Sequence, residues 1–188
     1  MGFEGRKLIL WTGKKHSGKT TGATRLVRAA REKGYIVAGI LAPAVHRNDA
    51  LIGFDAVDLR SGQRAALARD DGSGGTAGRF EFLAEGLRLG KASLSPAATA
   101  SADLIVVDEI GPIELNRQGW RRSVDQLVQS CKTTMLLVVR EELADEVERL
   151  YGDVEIVRLY VDAPESIDAV ISILEESRQR ARQHNAKA

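Results

Sequence analysis

A short segment near the amino terminus has the residue types and spacing of a phosphate-binding loop. It matches the pattern G-x-x-x-x-G-K-[ST] at every fixed position, from Gly13 through Gly18 and Lys19 to Thr20. Glycines let successive backbone N–H groups point inward around a phosphate, and the following helix adds the partial positive charge of its N-terminus. The lysine would reach the β- and γ-phosphates, and the threonine hydroxyl would bind Mg²⁺. This Walker A pattern therefore predicts a nucleoside triphosphate site.

The residues assigned to nucleotide binding include the variable positions of the loop and the residue that follows it. They are Gly13, Lys14, Lys15, His16, Ser17, Gly18, Lys19, Thr20 and Thr21. Lys14 stands where some dimeric ATPases carry a second lysine that reaches the partner's nucleotide, but it also fits an ordinary exposed loop lysine. His16 is either a modulator of affinity near neutral pH or a solvent-facing side chain. Both alternatives stay open at this point.

A second candidate segment is an aliphatic run that ends in two carboxylates, a Walker B pattern. Leu104–Val107 has the composition of a strand buried on both faces, and ligands in parallel α/β sheets lie beyond the carboxyl ends of the strands. We expect Asp108 to hold Mg²⁺ directly or through water, and Glu109 to act catalytically by orienting or deprotonating an attacking water. The run continues as D-x-x-G, so the Gly111 N–H is expected to approach the γ-phosphate. The order of the two acids favours hydrolysis over transfer to an acceptor.

The two segments are set among apolar runs of strand length that alternate with amphipathic stretches of helix length. The expected strands are Leu8–Trp11, Tyr35–Ala44, Leu51–Leu59, Arg64–Ala68, Leu104–Val107, Met135–Val139 and Val154–Val161. The expected helices are Thr20–Lys33, Phe82–Lys91, Pro96–Ser101, Leu115–Ser130, Leu143–Leu150 and Glu165–Arg182. This order predicts an α/β fold, a P-loop NTPase three-layer sandwich whose central sheet is mostly parallel. Residues 51–69 form a small antiparallel insertion, and Asp70–Gly78 is expected to be a flexible loop.

Length and composition bound the class of protein. The 188 residues fit a single domain, residues 1–188, and 27 Lys+Arg against 26 Asp+Glu give a net charge of +1. This nearly neutral net charge gives no electrostatic reason to expect binding to nucleic acid or to an anionic membrane. The single cysteine, Cys131, makes no internal disulfide, and no apolar run is long enough to cross a bilayer. We expect a cytoplasmic protein that binds a nucleoside triphosphate and neither membrane nor nucleic acid, with any protein partner left open.

Three blocks of the sequence resemble a known family. The loop GKKHSGKTT, the segment GFDAVDLRSGQRAALAR and the stretch LIVVDEIGPIEL are similar to the small cancer-related nucleoside-triphosphatase family. The resemblance covers most of residues 7–160 and implies slow, Mg²⁺-dependent hydrolysis of ATP, GTP and other triphosphates with little base selectivity. It implies phosphate, metal and water-positioning roles for Gly13, Gly18, Lys19, Thr20, Asp108 and Glu109. The chain departs from the family's pattern in the basic interior of the loop, in Gly78–Phe82 and in Val139–Glu141, where a threonine-valine-histidine run is expected.

Two other function classes share the same loop. A nucleotide-dependent switch or adaptor would hydrolyse very slowly and order residues 70–78 around the γ-phosphate, although the missing N-K-x-D motif disfavours a guanine-specific switch. A small-molecule kinase is favoured less, because residues 70–78 contain no arginine for a lid. The arginines considered for stabilising transition-state charge are Arg47, Arg79, Arg117 and Arg140.

Overall fold

The described part of the chain, residues 7–70, 80–130 and 132–185 of a computed structural model, forms a nine-stranded sheet with helices on both faces. The strands are β1 Leu8–Gly13, β2 Val37–Leu41, β3 Ala44–Arg47, β4 Ala50–Asp58, β5 Arg64–Asp70, β6 Phe80–Phe82, β7 Leu104–Ile110, β8 Thr134–Arg140 and β9 Ile156–Tyr160. The helices are α1 Lys19–Glu32, α2 Ala84–Ser93, α3 Pro96–Thr99, α4 Pro112–Leu115, α5 Arg121–Ser130, α6 Ala144–Leu150 and α7 Ser166–Asn185, with a 3₁₀ turn at Glu141–Leu143. Within these described residues, no helix is long and apolar enough to span a bilayer.

The strand order places the two predicted motifs near each other, at the carboxyl-terminal ends of the parallel strands. The order is β6-β5-β4-β2-β7-β8-β1-β9, with β3 paired to β4. The strands β2, β7, β8, β1 and β9 are parallel, whereas β3 to β6 pair antiparallel with their neighbours. Since β8 lies between β1 and β7, a single strand separates the loop after β1 from the carboxylates at the end of β7. The predicted mixture of a parallel sheet and an antiparallel part is confirmed.

The central strands are apolar on both faces because each face packs on its own layer of helices. On one face, α1 and α7 bury Leu26 and Leu174 against Val106 of β7. On the other face, α2, α5 and α6 cover the sheet, with Leu127 packed in the same core as Val107. Continuous burial on both sides is what a run of aliphatic residues in a parallel sheet indicates. The result is the predicted three-layer sandwich.

The stretch predicted as a single helix over Leu115–Ser130 is two helices. The helix α4 ends at Leu115 and α5 begins at Arg121. Between them, Arg117 and Gly119 adopt positive φ angles of 61° and 56°, which a continuous right-handed helix does not allow. Trp120 therefore precedes α5, and it is buried there.

The antiparallel part contains a hairpin that was not predicted from the sequence. The expected strand Tyr35–Ala44 ends at Leu41, and after Pro43 a separate strand, β3, pairs with β4. The turn between β3 and β4 has positive φ at both Asn48 and Asp49, as is common in the two-residue turns that connect hairpin strands. That pair of turn-forming residues was the available signal.

The antiparallel part is also larger than the expected insertion over residues 51–69. The predicted helix Phe82–Lys91 begins at Ala84 instead, because Phe80–Phe82 pairs with β5 as strand β6. The antiparallel strands thus extend from residue 44 to residue 82. Of the expected flexible loop, Asp70 is the last residue of β5, and the rest lies outside the described residues, as do Arg79 and Cys131.

Candidate functional site

The loop between β1 and α1 combines an unusual backbone with exposed residues. Gly18 has a φ of 78° and directly precedes α1, and His16 has a φ of 64°. A left-handed conformation of this kind favours glycine at position 18. The N–H of Ser17 donates to the carbonyl of Lys14 over 3.1 Å, which closes the turn. The exposed residues of this segment are Lys14, Lys15, His16, Ser17, Gly18 and Thr21.

Gly13, the first residue of the pattern, lies where the surrounding atoms leave no room for a side chain. A Cβ at this position would lie 2.5 Å from Oγ of Ser17 and 2.7 Å from Cγ1 of Val161. Val161 follows β9, so the loop packs closely against the end of the neighbouring strand. A side chain at residue 13 would push the loop away from the sheet.

Lys19 is the buried cation of the loop. It is 7% exposed, and its Nζ donates to the backbone carbonyl of Lys14 over 2.9 Å. The ammonium is therefore held across the loop by the chain itself. An ammonium group carries three donors, so this bond leaves donors for a phosphate.

Asp108 is the buried carboxylate at the end of β7. It is 1% exposed, and its Oδ2 accepts a hydrogen bond from the Ala42 N–H over 3.1 Å. Burial raises the pKa of Asp108 to about 6, opposed by the Ala42 N–H, the Thr20 hydroxyl and the charge of Lys19. Its other oxygen, Oδ1, has no hydrogen-bond partner among the described residues. A buried polar atom in this situation is costly, and a cation or a water would satisfy it.

The surroundings of Asp108 fit a magnesium ion. Thr20, Lys19 and Asp108 come together although 88 residues separate the threonine from the aspartate in sequence. Magnesium prefers hard oxygen ligands and uses one or two carboxylates together with water and substrate phosphates. Within the described ranges, no group of three or more His, Cys, Asp or Glu residues could hold a metal. The Thr20 hydroxyl and the Asp108 carboxylate supply two hard oxygen ligands of the kind that Mg²⁺ uses together with water and substrate phosphates.

Glu109 is half-buried and paired with an arginine. Its Oε1 accepts a hydrogen bond from Nε of Arg140 over 2.9 Å. Arg140 is the last residue of β8, where it lies in register with Gly13 of β1. The pairing of β7 with β8 shifts between Asp108 and Ile110, and a bulge of this kind re-aims a side chain. The structure therefore ties the second carboxylate to the end of β8, the strand that pairs with β1.

The Gly111 N–H already has an acceptor. It donates to Oε2 of Glu114 over 3.1 Å, and burial raises the pKa of the Glu114 carboxyl. The predicted approach of this N–H to a γ-phosphate would require exchange of that bond. Glu114 was not among the site residues predicted from the sequence. The signal was its place three residues after Gly111, where a glutamate side chain can accept from the backbone N–H of the residue before the helix, as in one half of a capping box.

The structure distinguishes the candidate arginines by their position relative to Glu109. Arg47 lies in the antiparallel hairpin and Arg117 in the turn after α4, and both are exposed. Arg140 is the candidate that the structure places against Glu109. Arg79 lies outside the described residues.

Changing Asp108 to asparagine is expected to raise the free energy of unfolding of the metal-free protein at alkaline pH. Since burial raises the pKa of Asp108 from 3.8 to about 6, the folded protein favours the protonated carboxyl. Its stabilising contribution is full below about pH 4 and is lost as the pH rises through about 6. The loss is on the order of 3 kcal/mol, and an uncharged amide avoids it. Urea unfolding with a chelator at about pH 4.5 and pH 8 measures the difference.

Asp153→Asn is the matched control, because Asp153 is exposed in the turn after α6. The control should follow the wild type at both pH values. An Asp108→Asn variant that is no more stable than the wild type at alkaline pH would contradict the assignment of a buried, destabilising charge.

The sheet order and the loop together define the class of this protein as an α/β protein with the P-loop NTPase fold. The solution structure of a human cancer-related nucleoside triphosphatase matches it with a TM-score of 0.66, over 90% of this chain and 96% of that chain. The crystal structure of THEP1 from Aquifex aeolicus also matches with a TM-score of 0.66, over 90% of this chain and 99% of that chain. Sequence identities are 24% and 23%, so these matches show the fold. The predicted fold class is confirmed.

Sequence comparison identifies the family. A family model described as NTPase matches residues 8–172. Nucleoside-triphosphatase THEP1 of Methanothermobacter thermautotrophicus is 35% identical over 167 residues, which cover 86% of this chain and 90% of that protein. The protein of the same name from Hyperthermus butylicus is 37% identical over 139 residues, 73% of each chain. The chain belongs to this NTPase family, which confirms both the resemblance found in the sequence and the enzyme class.

Proposed function

We propose that this chain is a Mg²⁺-dependent nucleoside triphosphatase that hydrolyses the γ-phosphate of ATP, GTP and other triphosphates with low base selectivity. The observation that carries the proposal is the buried Asp108, whose Oδ1 has no partner among the described residues and which lies beside Thr20 and Lys19. A carboxylate kept in such a place is costly to stability, and a metal–nucleotide complex would offset that cost. The names of the relatives, which are nucleoside-triphosphatases, support the same conclusion.

Each residue of the site has a distinct part in this reaction. Lys19 and the backbone N–H groups of the loop bind the β- and γ-phosphates and offset the charge that develops on them. Thr20 and Asp108 would hold Mg²⁺, which when bound neutralises charge on the phosphate oxygens. Glu109 orients the water whose oxygen bonds to the γ-phosphorus as the bond to the bridging oxygen breaks. The products are a nucleoside diphosphate and inorganic phosphate.

Low base selectivity is supported by the sequence and by the resemblance to the family. The chain contains no N-K-x-D segment of the kind that reads guanine. The residues that converge at the site, from the loop and the end of β7, are those suited to phosphate and metal. Affinity is therefore expected to come mainly from the triphosphate.

Phosphate release from ATP, GTP, CTP and UTP, with Mg²⁺ and with a chelator, tests the proposal. We expect all four nucleotides to be hydrolysed at rates within about tenfold of one another, and chelation to abolish release. Glu109→Gln, purified in the same way, is the control for contaminating phosphatases. Hydrolysis of a single nucleotide would overturn the low selectivity, and tight binding without release would favour the switch or adaptor.

A further inference from the structure

The ion pair between Arg140 and Glu109 joins two strands at the point where the loop begins. Arg140 ends β8, and its partner in the register of β1 is Gly13, the first residue of the phosphate-binding loop. Its guanidinium reaches in the opposite direction, to the carboxylate at the end of β7, with Nε 2.9 Å from Oε1 of Glu109. Both side chains are about one third exposed, 32% for the arginine and 29% for the glutamate. The pair is therefore partly accessible to solvent.

We propose that Arg140 is a positioning residue, which holds the Glu109 carboxylate in the orientation that water attack requires. This inference rests on the proposed function, since it gives Glu109 the task of orienting the water. The bond uses Oε1 of the carboxylate, so the second oxygen can serve the water. It also uses one of the five N–H donors of the guanidinium, the one closest to the strand.

The geometry favours a guanidinium for this task. A hydrogen bond between two charged groups is stronger and more directional than a neutral one, and Nε is held closer to the backbone than the end of a lysine would be. Glu109 alone has a long side chain with many accessible rotamers. Tying it to the rigid end of β8 removes most of that freedom before substrate arrives. Misplacement of a reacting group by about 1 Å can lower a rate roughly 100-fold.

A purely structural ion pair would behave differently. Partly exposed ion pairs contribute little to the stability of a folded protein. If the pair only stabilised the fold, its loss would have a small effect on both unfolding and turnover. If Arg140 positions Glu109, its loss lowers kcat and leaves both stability and KM nearly unchanged.

The first experiment measures kcat and KM for ATP with Mg²⁺ in Arg140→Ala and Arg140→Lys, together with thermal unfolding. We expect kcat to fall about 10- to 100-fold in Arg140→Ala, with KM within about threefold of the wild type. Arg140→Lys should keep part of the activity, because it restores the charge without the planar group. Guanidinium ion at low millimolar concentration should raise kcat of Arg140→Ala and leave Glu109→Gln unaffected.

Arg28→Ala is the matched control, because it removes another arginine–glutamate ion pair, that of Arg28 with Glu32 on the exposed side of α1. It should retain wild-type kcat and KM. If Arg140→Ala does not fold, the Arg140→Lys variant carries the comparison with this control. A wild-type kcat in every folded Arg140 variant overturns the inference.

The second experiment is a double-mutant cycle. If Arg140 acts through Glu109, the variant with both Arg140→Ala and Glu109→Gln should be no slower than Glu109→Gln alone, within about threefold. Effects that multiply would overturn the inference, because Arg140 would then act independently of Glu109. Full turnover in Glu109→Gln would instead mean failure of the proposed function, so the two failures are distinguishable.

Discussion

Replacing Glu109 by glutamine is expected to lower kcat for phosphate release about 100-fold or more, while nucleotide affinity stays within about threefold. The amide keeps the size of the carboxylate but has neither its charge nor its ability to take a proton from water. Nucleotide binding should persist, because Lys19 and the loop are untouched and Glu109 lies on a different strand. Single-turnover phosphate release and calorimetric titration with a non-hydrolysable ATP analogue measure the two quantities separately.

Glu142→Gln provides the control for this change. Glu142 is exposed in the 3₁₀ turn that follows β8, so the same substitution is made close in sequence to Arg140 without altering a carboxylate at the strand end. It should hydrolyse ATP at the wild-type rate. If Glu109→Gln also keeps that rate, Glu109 has no part in the chemical step.

Replacing Lys19 by alanine is expected to weaken Mg²⁺–nucleotide binding about 100-fold or more. The ammonium would make charge-assisted hydrogen bonds to the β- and γ-phosphates, and each such bond contributes about 1.5–3 kcal/mol. The bond from Lys19 to the Lys14 carbonyl is lost as well, so the loop loses its internal support. Titration calorimetry with the non-hydrolysable analogue gives the affinity, and circular dichroism verifies the fold.

Lys91→Ala removes the same charge outside the loop and is the matched control, since Lys91 is exposed on α2. Its affinity should stay within about threefold of the wild type, because exposed charges are screened by solvent and salt. Equal losses in the two variants would mean that the net charge of the protein, and not the position of Lys19, governs binding.

The elements predicted correctly from the sequence are those whose periodicity and turn residues lie within a short stretch of chain. The strand before Gly13, the helix after Gly18 and the aliphatic run before Asp108 were all identified, because their periodicity and their turn residues act over a few neighbours. The break after α4 was missed: the positive φ of Arg117 is not predicted by its residue type, and Gly119 was a local signal for a helix end that was not used. Propensity is a weak guide where tertiary contacts decide the backbone.

The sequence by itself determined the family and indicated the candidate phosphate-binding loop and the acidic strand end, since these depend on residue types at fixed short spacings. Only the tertiary structure decided that β8 lies between β1 and β7, because these parallel strands are far apart in sequence and their pairing depends on how the whole chain is connected. That order brings Thr20 to Asp108 and selects Arg140 as the partner of Glu109, 31 residues away. The chemistry of each residue could be inferred one by one, whereas their pairing required the assembled sheet.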